Sequence, residues 1–248
     1  MSGKNTKTAE QAVEATTNTN TGLATAGQYN FTKEVVDEDT GEVVTKPLYK
    51  YMPGMPREYR WNGKTGMFSI GANVEVGKTL KIHPIAWCFF NDDIFALGYK
   101  FWVEVYFIDD KNCVACVSFH GNSAQELQKI AEPLYYDEKG LNDVVIEIYS
   151  TEHENTKITP KAKYAIARFD KYTEADAERV KEMKAFVKAF PIYRASSWSS
   201  TRQVVASKFW YNPAAQVETH ELGTGAEDVT SAPAAEVGTD ENGNKLPF

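Results

Sequence analysis

The sequence predicts a mainly β fold of the α+β class, and three observations support this prediction. Residues 29–211 are rich in aromatic and β-branched side chains, which favour strands. In most of this segment apolar residues alternate with polar ones, which is the period of a half-buried strand. Short runs of turn-forming residues separate the alternating stretches. The chain has 248 residues, of which 42% are hydrophobic, so it can bury a substantial core.

The predicted strands are short and closely spaced. In chain order they are Lys33–Asp37, Glu42–Lys46, Gly66–Gly71, Thr79–Phe90, Tyr99–Asp109, Asn112–His120, Asp143–Thr151 and Ala162–Tyr172. The segments Asp39-Thr40-Gly41 and Asp110-Lys111 are typical of hairpin turns, so each joins two neighbouring strands. Strands in this number, with a helix inserted among them, fit a small closed barrel of the OB type with elaborations.

Two helices are predicted, one inserted among the strands and one after them. Ser123-Ala-Gln-Glu126 has the spacing of a capping box, and Pro133 is expected to end the helix that it opens. A second helix is expected over Glu174–Phe190, since its apolar residues recur at helical spacing. The fold prediction is therefore an OB-like barrel with inserted and C-terminal helices.

Composition divides the chain into three parts. Residues 1–28 contain no bulky core former except Leu23, so they are predicted to be a disordered N-terminal arm. Residues 213–248 contain Ala, Gly, Thr, Glu and Pro without periodicity, which predicts a disordered tail. That tail carries seven acidic residues and one lysine, and the net charge of the whole chain is −7. Residues 29–212 are thus nearly neutral, and such a domain can still present a local basic groove.

The chain is expected to be a soluble, cytoplasmic protein that does not bind membranes, in the host cytoplasm if a phage encodes it. Its three cysteines are too few and odd in number for a disulfide framework, which favours a reducing compartment. The N-terminus has no apolar segment typical of a secretory signal. No apolar run approaches the length of a membrane-spanning helix.

Two predicted strands interleave basic residues with large rings on the face opposite their regular apolar positions. These residues are Lys81, Trp87, Phe89, Lys100, Trp102 and Tyr106. Proteins that bind single strands without sequence preference use such surfaces, because every base can stack on a ring while cations hold the phosphates. The alternative is that the rings pack beneath a helix or a loop.

Two predicted loops have a similar composition. The first, Arg57–Lys64, contains Arg60, Trp61 and Lys64, and the second is a Ser-rich stretch. The second stretch contains Arg194, Trp198 and Arg202. These residues could clamp a strand in the groove or simply anchor the loops. In the binding hypothesis Trp87, Phe89, Trp102 and Tyr106 stack bases, while the Lys and Arg residues of the strands and loops hold phosphates.

The sequence gives little support to catalysis, and neither a cofactor nor a metal ion is predicted. Gly63-Lys64-Thr65 and Gly77-Lys78-Thr79 lack the earlier glycine of a phosphate-binding loop, and neither leads into a helix. Cys113 and Cys116 could contribute to a zinc site, but their odd spacing on a predicted strand points them to opposite faces. Acidic clusters fall in predicted turns, where solvation explains them, although carboxylates gathered in space could bind a catalytic metal.

The C-terminus has an unusual ending for an acidic tail: Asp240 and Glu241 precede the final Leu246-Pro247-Phe248. Proline stiffens the approach, the phenylalanine ring suits an apolar pocket, and the α-carboxylate can pair with a basic rim. This ending resembles the C-terminal tip of bacterial single-stranded DNA-binding proteins. It departs from that family at Asn244 and Lys245, where the family usually has Asp, and this departure bears on the affinity of the tip.

The resemblance implies a function. In the family the tip recruits replication, recombination and repair proteins and can compete with DNA for the binding groove, which implies that the five residues named above bind such partners. Residues 29–212 look more like the enlarged OB domains of phage-encoded single-strand binders than like the short bacterial domain. The expectation is sequence-independent binding of single-stranded DNA during replication and recombination, with self-association on DNA left open.

Two other classes of function remain open at this stage. A virion or other structural interaction protein would use the aromatic faces as subunit interfaces and would form large assemblies. An enzyme of nucleic-acid metabolism, such as a metal-dependent nuclease, would degrade labelled strands when a divalent metal is added. A strand-annealing protein would share the binding face and would differ only in an annealing assay.

Overall fold

The computed structural model of the chain describes residues 29–156 and 161–216. The predicted N-terminal arm and residues 217–248 of the predicted tail therefore lie outside the described residues. Strands make up 49% and helices 20% of the structure, which confirms a mainly β protein. The chain divides into two units between Leu48 and Tyr49, and each unit is described by itself.

The first unit contains a single antiparallel hairpin of two strands, β1 (Thr32–Val36) and β2 (Val43–Pro47). The carboxylate of Asp37 accepts hydrogen bonds from two backbone N–H groups of the turn, at 3.0 and 3.1 Å. Gly41 closes the turn with φ of +71°, a conformation that glycine adopts without steric cost. The hairpin predicted from the turn residues is confirmed.

The second unit contains the remaining strands and both α-helices. The strands are β3 (Arg57–Asn62), β4 (Met67–Ile70), β5 (Val74–Gly77), β6 (Leu80–Ile82), β7 (Pro84–Asp92), β8 (Lys100–Ile108), β9 (Val114–His120), β10 (Val144–Asn155), β11 (Ala162–Glu174) and β12 (Gln203–Lys208). The helices are α1 (Asn122–Tyr136) and α2 (Ala177–Ala189), with short 3-10 helices at Leu141–Asp143, Ala195–Ser197 and Pro213–Gln216.

The strands of the second unit form two sheets. The larger has seven strands in the order β12-β7-β8-β9-β3-β4-β5, and the smaller has the order β11-β10-β6. All neighbours run antiparallel except β3 and β9, which are parallel. The ladders of the described residues are open, so β12 and β5 are the two edges of the larger sheet. The segment Arg57–Asn62, predicted as a loop, is strand β3, because it pairs with both β4 and β9.

One large core joins the two sheets and α1. Its residues include Val103 and Phe107 of β8, Phe119 of β9, Ile146 of β10 and Leu127 of α1. These side chains are less than 3% exposed. Helix α1 therefore packs its apolar face on the sheets, including Leu134 of its last turn, and its opposite face remains in water.

A β-bulge at the start of β7 changes which side chains face this core. The register of β7 against β8 shifts between Pro84 and Ala86. Leu80 and Ile82 of β6, in the smaller sheet, share the main core with Phe89 of β7, whereas Cys88 and Phe90 face the opposite side of the larger sheet. Alternation along one continuous strand, Thr79–Phe90, predicted that Leu80 and Ile82 share a face with Cys88 and Phe90. That grouping was wrong because β6 and β7 belong to different sheets and the bulge adds one residue to β7.

The opposite face of β8 is buried as well, under the C-terminal segment. The carboxylate of Glu104 has no solvent exposure. It accepts hydrogen bonds from the hydroxyl of Tyr106 at 3.0 Å, from Arg202 at 3.2 Å and from the hydroxyl of Ser197. Arg202 also donates to the carbonyl oxygen of Ser197 at 2.7 Å, and its guanidinium lies 3.7 Å from the centre of the Phe90 ring. This ionic cluster fastens residues 197–202 to the sheet.

A second arginine of the C-terminal segment extends the cluster towards β3. Arg194 donates to Glu58 at 2.8 Å and to the hydroxyl of Ser118 at 3.3 Å. Although burial alone would raise the pKa of Glu58, the neighbouring Arg60 and Arg194 hold it below its ordinary value. The segment is thus fixed to three neighbouring strands of the larger sheet.

Both helices begin differently from the prediction. Ser123 does not cap α1, because its hydroxyl accepts a hydrogen bond from the N–H of Ala167 in β11 at 3.1 Å. Glu126 pairs with Arg168 instead of returning to the helix start. Gly121 occupies the N-cap with φ of +56°, and α1 continues one turn past Pro133, whose carbonyl accepts from the N–H of residue 137 at 3.1 Å.

Helix α2 starts later than predicted. Residues 172–174 pair with the beginning of β10, so they belong to β11 and cannot open a helix. Asp176 is the N-cap, and its carboxylate accepts a hydrogen bond from the N–H of Arg179 at 2.8 Å. The helix end at Ala189 agrees with the prediction to one residue.

Replacing Arg202 by Met is expected to destabilise the protein by about 3–5 kcal/mol, because the buried carboxylate of Glu104 loses its cation. Adding Glu104→Gln to this variant should recover part of the loss, since it removes the unpaired charge. Urea unfolding followed by tryptophan fluorescence measures both changes. Arg60→Ala is the control: Arg60 pairs with Glu58 while its side chain is 54% exposed, so a loss below about 1 kcal/mol is expected. Equal losses for Arg202→Met and Arg60→Ala would contradict the role of the cluster.

Candidate nucleic-acid interface

The rings of β8 that were predicted to stack bases are sealed inside the protein. Trp102 is 3% exposed and Tyr106 is not exposed at all. The indole N–H of Trp102 donates to the carbonyl oxygen of Asp92 at 3.2 Å, and its ring meets Phe95 edge to face. The prediction that this face of β8 is open to solvent is therefore wrong, because the C-terminal segment covers the face.

The two tryptophans of the predicted loops differ in exposure. Trp61 is half-buried, and its ring lies 4.9 Å from that of Phe68 and 6.2 Å from that of Phe119. Trp61 thus anchors β3 to the main core, which is the alternative that the sequence left open. Trp198 is 37% exposed and follows a short 3-10 helix, so its ring is accessible to a ligand.

The predicted phosphate-binding cations do not gather in one channel. Arg194 and Arg202 are buried in the ionic cluster, so their assignment as open phosphate contacts is wrong. The other four lie on separate elements: Arg60 on β3, Lys64 in the turn after it, Lys81 on β6 and Lys100 at the start of β8. Lys81 lies opposite Glu147 of β10, whose carboxylate pairs with Lys171. None of the six lines the groove described next.

A groove of about 760 Å³ lies between α1 and the β7–β12 edge of the larger sheet. Trp87 and Phe89 of β7 contribute to its lining, together with residues of β12 on one side and of α1 on the other. Its lining residues are Trp87, Phe89, Gln125, Gln128, Lys129, Ala131, Glu132, Tyr135, Tyr136, Lys139, Gly140, Leu141, Val205, Ala206, Ser207 and Lys208. Two of the predicted stacking residues are therefore brought together, although Phe89 is only 3% exposed.

The most accessible rings of the groove are those of Tyr135 and Tyr136, in the last turn of α1. Each residue is 76% exposed. Their ring centres lie 5.8 Å apart and their planes meet at 72°. Trp87 is half-buried below them, and its indole N–H is buried without a hydrogen-bond partner. The groove thus combines two exposed rings with a tryptophan that has an unused donor.

Three lysines and one glutamate line the groove. Lys129 pairs with Glu126 at 2.7 Å, and Lys139 pairs with Glu174 across the loop after α1. The hydrogen bond that Lys139 donates to the carboxylate of Glu174 raises the pKa of Lys139, so this ammonium stays charged. Lys208, on β12, makes no ion pair with any described carboxylate, and its ammonium lies 5.9 Å from the ring of Phe209. A ligand anion can therefore pair with Lys208 without displacing another acid.

The residues that prediction missed are Tyr135, Tyr136, Lys139 and Lys208. One signal for the first two was available: adjacent tyrosines near the end of an amphipathic helix cannot both point into a core, because neighbouring positions on a helix lie about 100° apart. No sequence signal places Lys208 beside them. Its position depends on β12 pairing with β7.

The described residues contain neither a group of metal ligands nor a helix that could span a membrane. In residues 29–156 and 161–216 no group of three or more His, Cys, Asp or Glu side chains could hold a metal ion. Cys116 is fully buried, and its burial raises the pKa of the thiol. In the same residues no helix is both long and apolar enough to cross a bilayer. The predicted partner residues Asp240, Glu241, Leu246, Pro247 and Phe248 lie outside the described part of the chain.

Comparison with protein-family models, with curated proteins and with solved structures finds no match for this chain. The groove is therefore interpreted from its own geometry and charge.

The stability of the protein is expected to fall as the pH drops below about 6.5, in part through His83. Burial lowers the pKa of His83 below its ordinary value of 6.5, although its Nε2 lies 2.8 Å from the carbonyl oxygen of Asn142. The folded chain then binds fewer protons than the unfolded chain below about pH 6.5, so stability is complete above that pH and is lost as the pH falls. The pKa of His120 is lowered in the same direction by burial and by Lys100.

Thermal unfolding at several pH values measures this dependence, and His83→Gln should flatten it. The carboxylates whose pKa values are lowered, such as Asp143, lose their contribution only below about pH 4. They therefore do not contribute in the chosen range. An unfolding midpoint with the same pH dependence in wild type and His83→Gln would show that His83 is not the responsible group.

Proposed function

We propose that this protein binds single-stranded DNA, without catalysing a reaction, in the groove between α1 and β12. The observation that carries the proposal is the exposed pair Tyr135 and Tyr136 beside Lys129, Lys139 and Lys208. Single strands offer unpaired bases that stack on rings, and phosphates that ammonium groups attract. A duplex offers no free base faces, so the exposed rings favour a single strand as the ligand.

The free energy of base stacking is large enough for a site with two exposed rings to bind a single strand. Each base that stacks on an aromatic ring contributes about 1–3 kcal/mol. Tyr135 and Tyr136 keep most of their surface in water, so a base can cover them without rearrangement of the core. The predicted stacking by Trp102 and Tyr106 would instead require the C-terminal segment to leave the sheet. We therefore propose single-strand binding in the groove rather than on β8.

The groove favours binding without strong sequence preference. Rings accept any base, and ammonium groups contact phosphates irrespective of sequence. Gln125 and Gln128 are the polar amides of the lining, and as flexible surface side chains they can adapt to different base edges. A role in coating single strands during replication, recombination and repair, in the cytoplasm, fits these contacts.

An OB-like arrangement forms part of the proposal. The sheet β11-β10-β6 packs on the larger sheet around one shared core, as the two halves of a small barrel do. Its ladders are open, so any closure of this barrel depends on side-chain packing rather than on hydrogen bonds between all the strands. Self-association on DNA would not require a change in this core.

A structural interaction protein is the second candidate, and one surface favours it. The connection between β7 and β8 exposes Phe95 and Leu97 by 47% and 46%, and Tyr99 by 61%. Phe95 and Ala96 both have positive φ, a strained conformation for residues other than glycine. Such an apolar tip suits a protein interface. This candidate requires no affinity for DNA, so the titration below separates the two.

Poly-dT is expected to quench the fluorescence of Trp87. The double variant Tyr135→Ala, Tyr136→Ala should weaken binding by at least about 30-fold at low salt, because two stacking rings of about 1–3 kcal/mol each are lost. Fluorescence titration at several salt concentrations measures the dissociation constant. Both side chains are exposed, so the unfolding midpoint should stay close to that of wild type.

Tyr99→Ala is the matched control for this experiment. Tyr99 is 61% exposed and does not line the groove, so its removal should leave the affinity for poly-dT within about twofold. An equal loss in the control and in the double variant, or no binding by wild type, would contradict the proposed site. A duplex of the same length should compete poorly.

The C-terminal ending is proposed to recruit replication and recombination proteins rather than to hold DNA. Deletion of residues 245–248 should leave the affinity for poly-dT unchanged and should abolish the capture of such proteins by immobilised protein. A synthetic peptide of residues 238–248 should compete for that capture, and the same peptide without its last phenylalanine should not. Loss of DNA affinity on this deletion would assign the ending to the DNA site instead.

A further inference from the structure

One edge of the larger sheet is open along its whole length. Strand β12 forms that edge, and its only strand neighbour among the described residues is β7. In the described part of the chain, residues 203–208 make no backbone hydrogen bond outside this ladder, so the N–H and C=O groups on the outer side of β12 face solvent. Residues 203–207 are all exposed, and Val204 and Val205 are exposed by 44% and 52%. An edge of this kind is a template for pairing with another strand.

The other sheet edges of the second unit are protected. On the outer side of β11, the N–H of Ala167 donates to the hydroxyl of Ser123 at 3.1 Å, and the N–H of Ala165 donates to the carbonyl oxygen of Gly63 at 2.7 Å. Strand β6 has only three residues. Strand β5 has four residues and includes the charged Glu75. Cover, shortness and charge are common means by which proteins prevent edge strands from pairing. Among these edges, β12 is therefore the one that can accept a further strand.

The composition of β12 favours a second copy of β12 as that strand. Residues 203–207 carry no charge, so nothing in them selects a charged partner. An antiparallel pair centred between Val205 and Ala206 places Lys208 of each copy opposite Gln203 of the other copy. The two ammonium groups then lie at opposite ends of the pair and do not repel each other. A two-fold axis repeats the same contact in both directions, which closes the assembly at two copies.

Two features of β12 make the pairing reversible. Val205 is an extra residue in the ladder with β7, between Val204 and Ala206, and a bulge of this kind twists the strand and shortens its regular part. The strand also has only six residues, whereas a stable interface has about 20–30 residues a side. We therefore expect a dimer that forms as the protein concentration rises.

We propose that two copies of this protein pair antiparallel through β12, which joins their larger sheets into one continuous sheet. The pairing itself does not depend on DNA. It deepens the proposed function, on which the following step rests. The two-fold axis of an antiparallel strand pair stands perpendicular to the sheet, so the α1 helices of both copies lie on the same face. Since β12 forms one wall of each groove, the two grooves become neighbours, and one long single strand can occupy both.

Val204 is suited to test the pairing without a change in the groove. It lies opposite Phe90 in the ladder, and Phe90 belongs to the cluster on the face of the sheet away from the main core. Val204 is not part of the groove lining. The matched control is Val74 of β5, a valine at the other edge of the same sheet that is 57% exposed. Both side chains are exposed, so their replacement should have little effect on folding.

Sedimentation equilibrium of the full chain without DNA measures the pairing over a wide range of protein concentrations. The average mass of wild type and of Val74→Lys should rise from that of one chain to that of two. Val204→Lys should remain at the mass of one chain, because an ammonium on an edge strand disfavours pairing. Circular dichroism should show the same strand content in all three proteins. A wild type that stays monomeric, an equal loss in both variants, or a mass that grows beyond two chains would overturn the pairing.

Poly-dT of two lengths tests whether the grooves act together. An oligomer that fills a single groove should bind wild type, Val204→Lys and Val74→Lys equally. An oligomer twice as long should bind wild type and Val74→Lys at least about tenfold more tightly than it binds Val204→Lys, because the second groove is held at high effective concentration. Both variants carry the same added charge, so its attraction for phosphate does not explain a difference between them.

The outcomes separate the pairing from the proposed function. If wild type dimerises but binds neither oligomer, the proposed function fails and the pairing through β12 stands. If wild type dimerises and binds, but the longer oligomer has the same affinity for Val204→Lys as for wild type, the joint use of the two grooves is overturned.

Discussion

The burial of Glu104 is the constraint on which the rest of the second unit depends. A carboxylate without solvent exposure in the central part of a sheet is stable only if a cation and hydrogen-bond donors reach it. Arg202, Ser197 and Tyr106 supply them. Because Arg202 directly precedes β12, this interaction also brings β12 to the edge of β7. The interaction between Glu104 and Arg202 therefore explains both why this face of β8 is covered and why β12 forms one wall of the groove.

The same constraint explains why the proposed binding site lies on α1 and β12. Once the C-terminal segment covers Trp102 and Tyr106, β8 has no ring left for a ligand. The apolar face of α1 belongs to the main core as far as Leu134 in its final turn, whereas the neighbouring Tyr135 and Tyr136 remain in water. The proposed site thus lies at the edge of the packed core, which is a common position for ligand sites.

The residues selected from the sequence as a binding surface lie in different environments in the structure. Trp87 and Phe89 were selected from their strand and line the groove. Tyr106 was assigned to an open strand face and Arg202 to a loop over the groove, because residue type alone does not show whether a charged or aromatic side chain has a partner. Glu104 was visible between Trp102 and Tyr106 in the sequence, and its partner Arg202 lies almost a hundred residues later along the chain. No local pattern connects them.

The sequence by itself determined the mainly β class, the first hairpin and the hairpin of β8 and β9. It also determined the presence of two helices, because these features depend on local periodicity and turn residues. The tertiary structure decided which residues of β7 face the main core, through the bulge between Pro84 and Ala86. It also decided where the rings and lysines meet, through the pairing of β12 with β7. Both depend on contacts between residues distant in the chain, and the alternation of residues along one strand carries no information about such contacts.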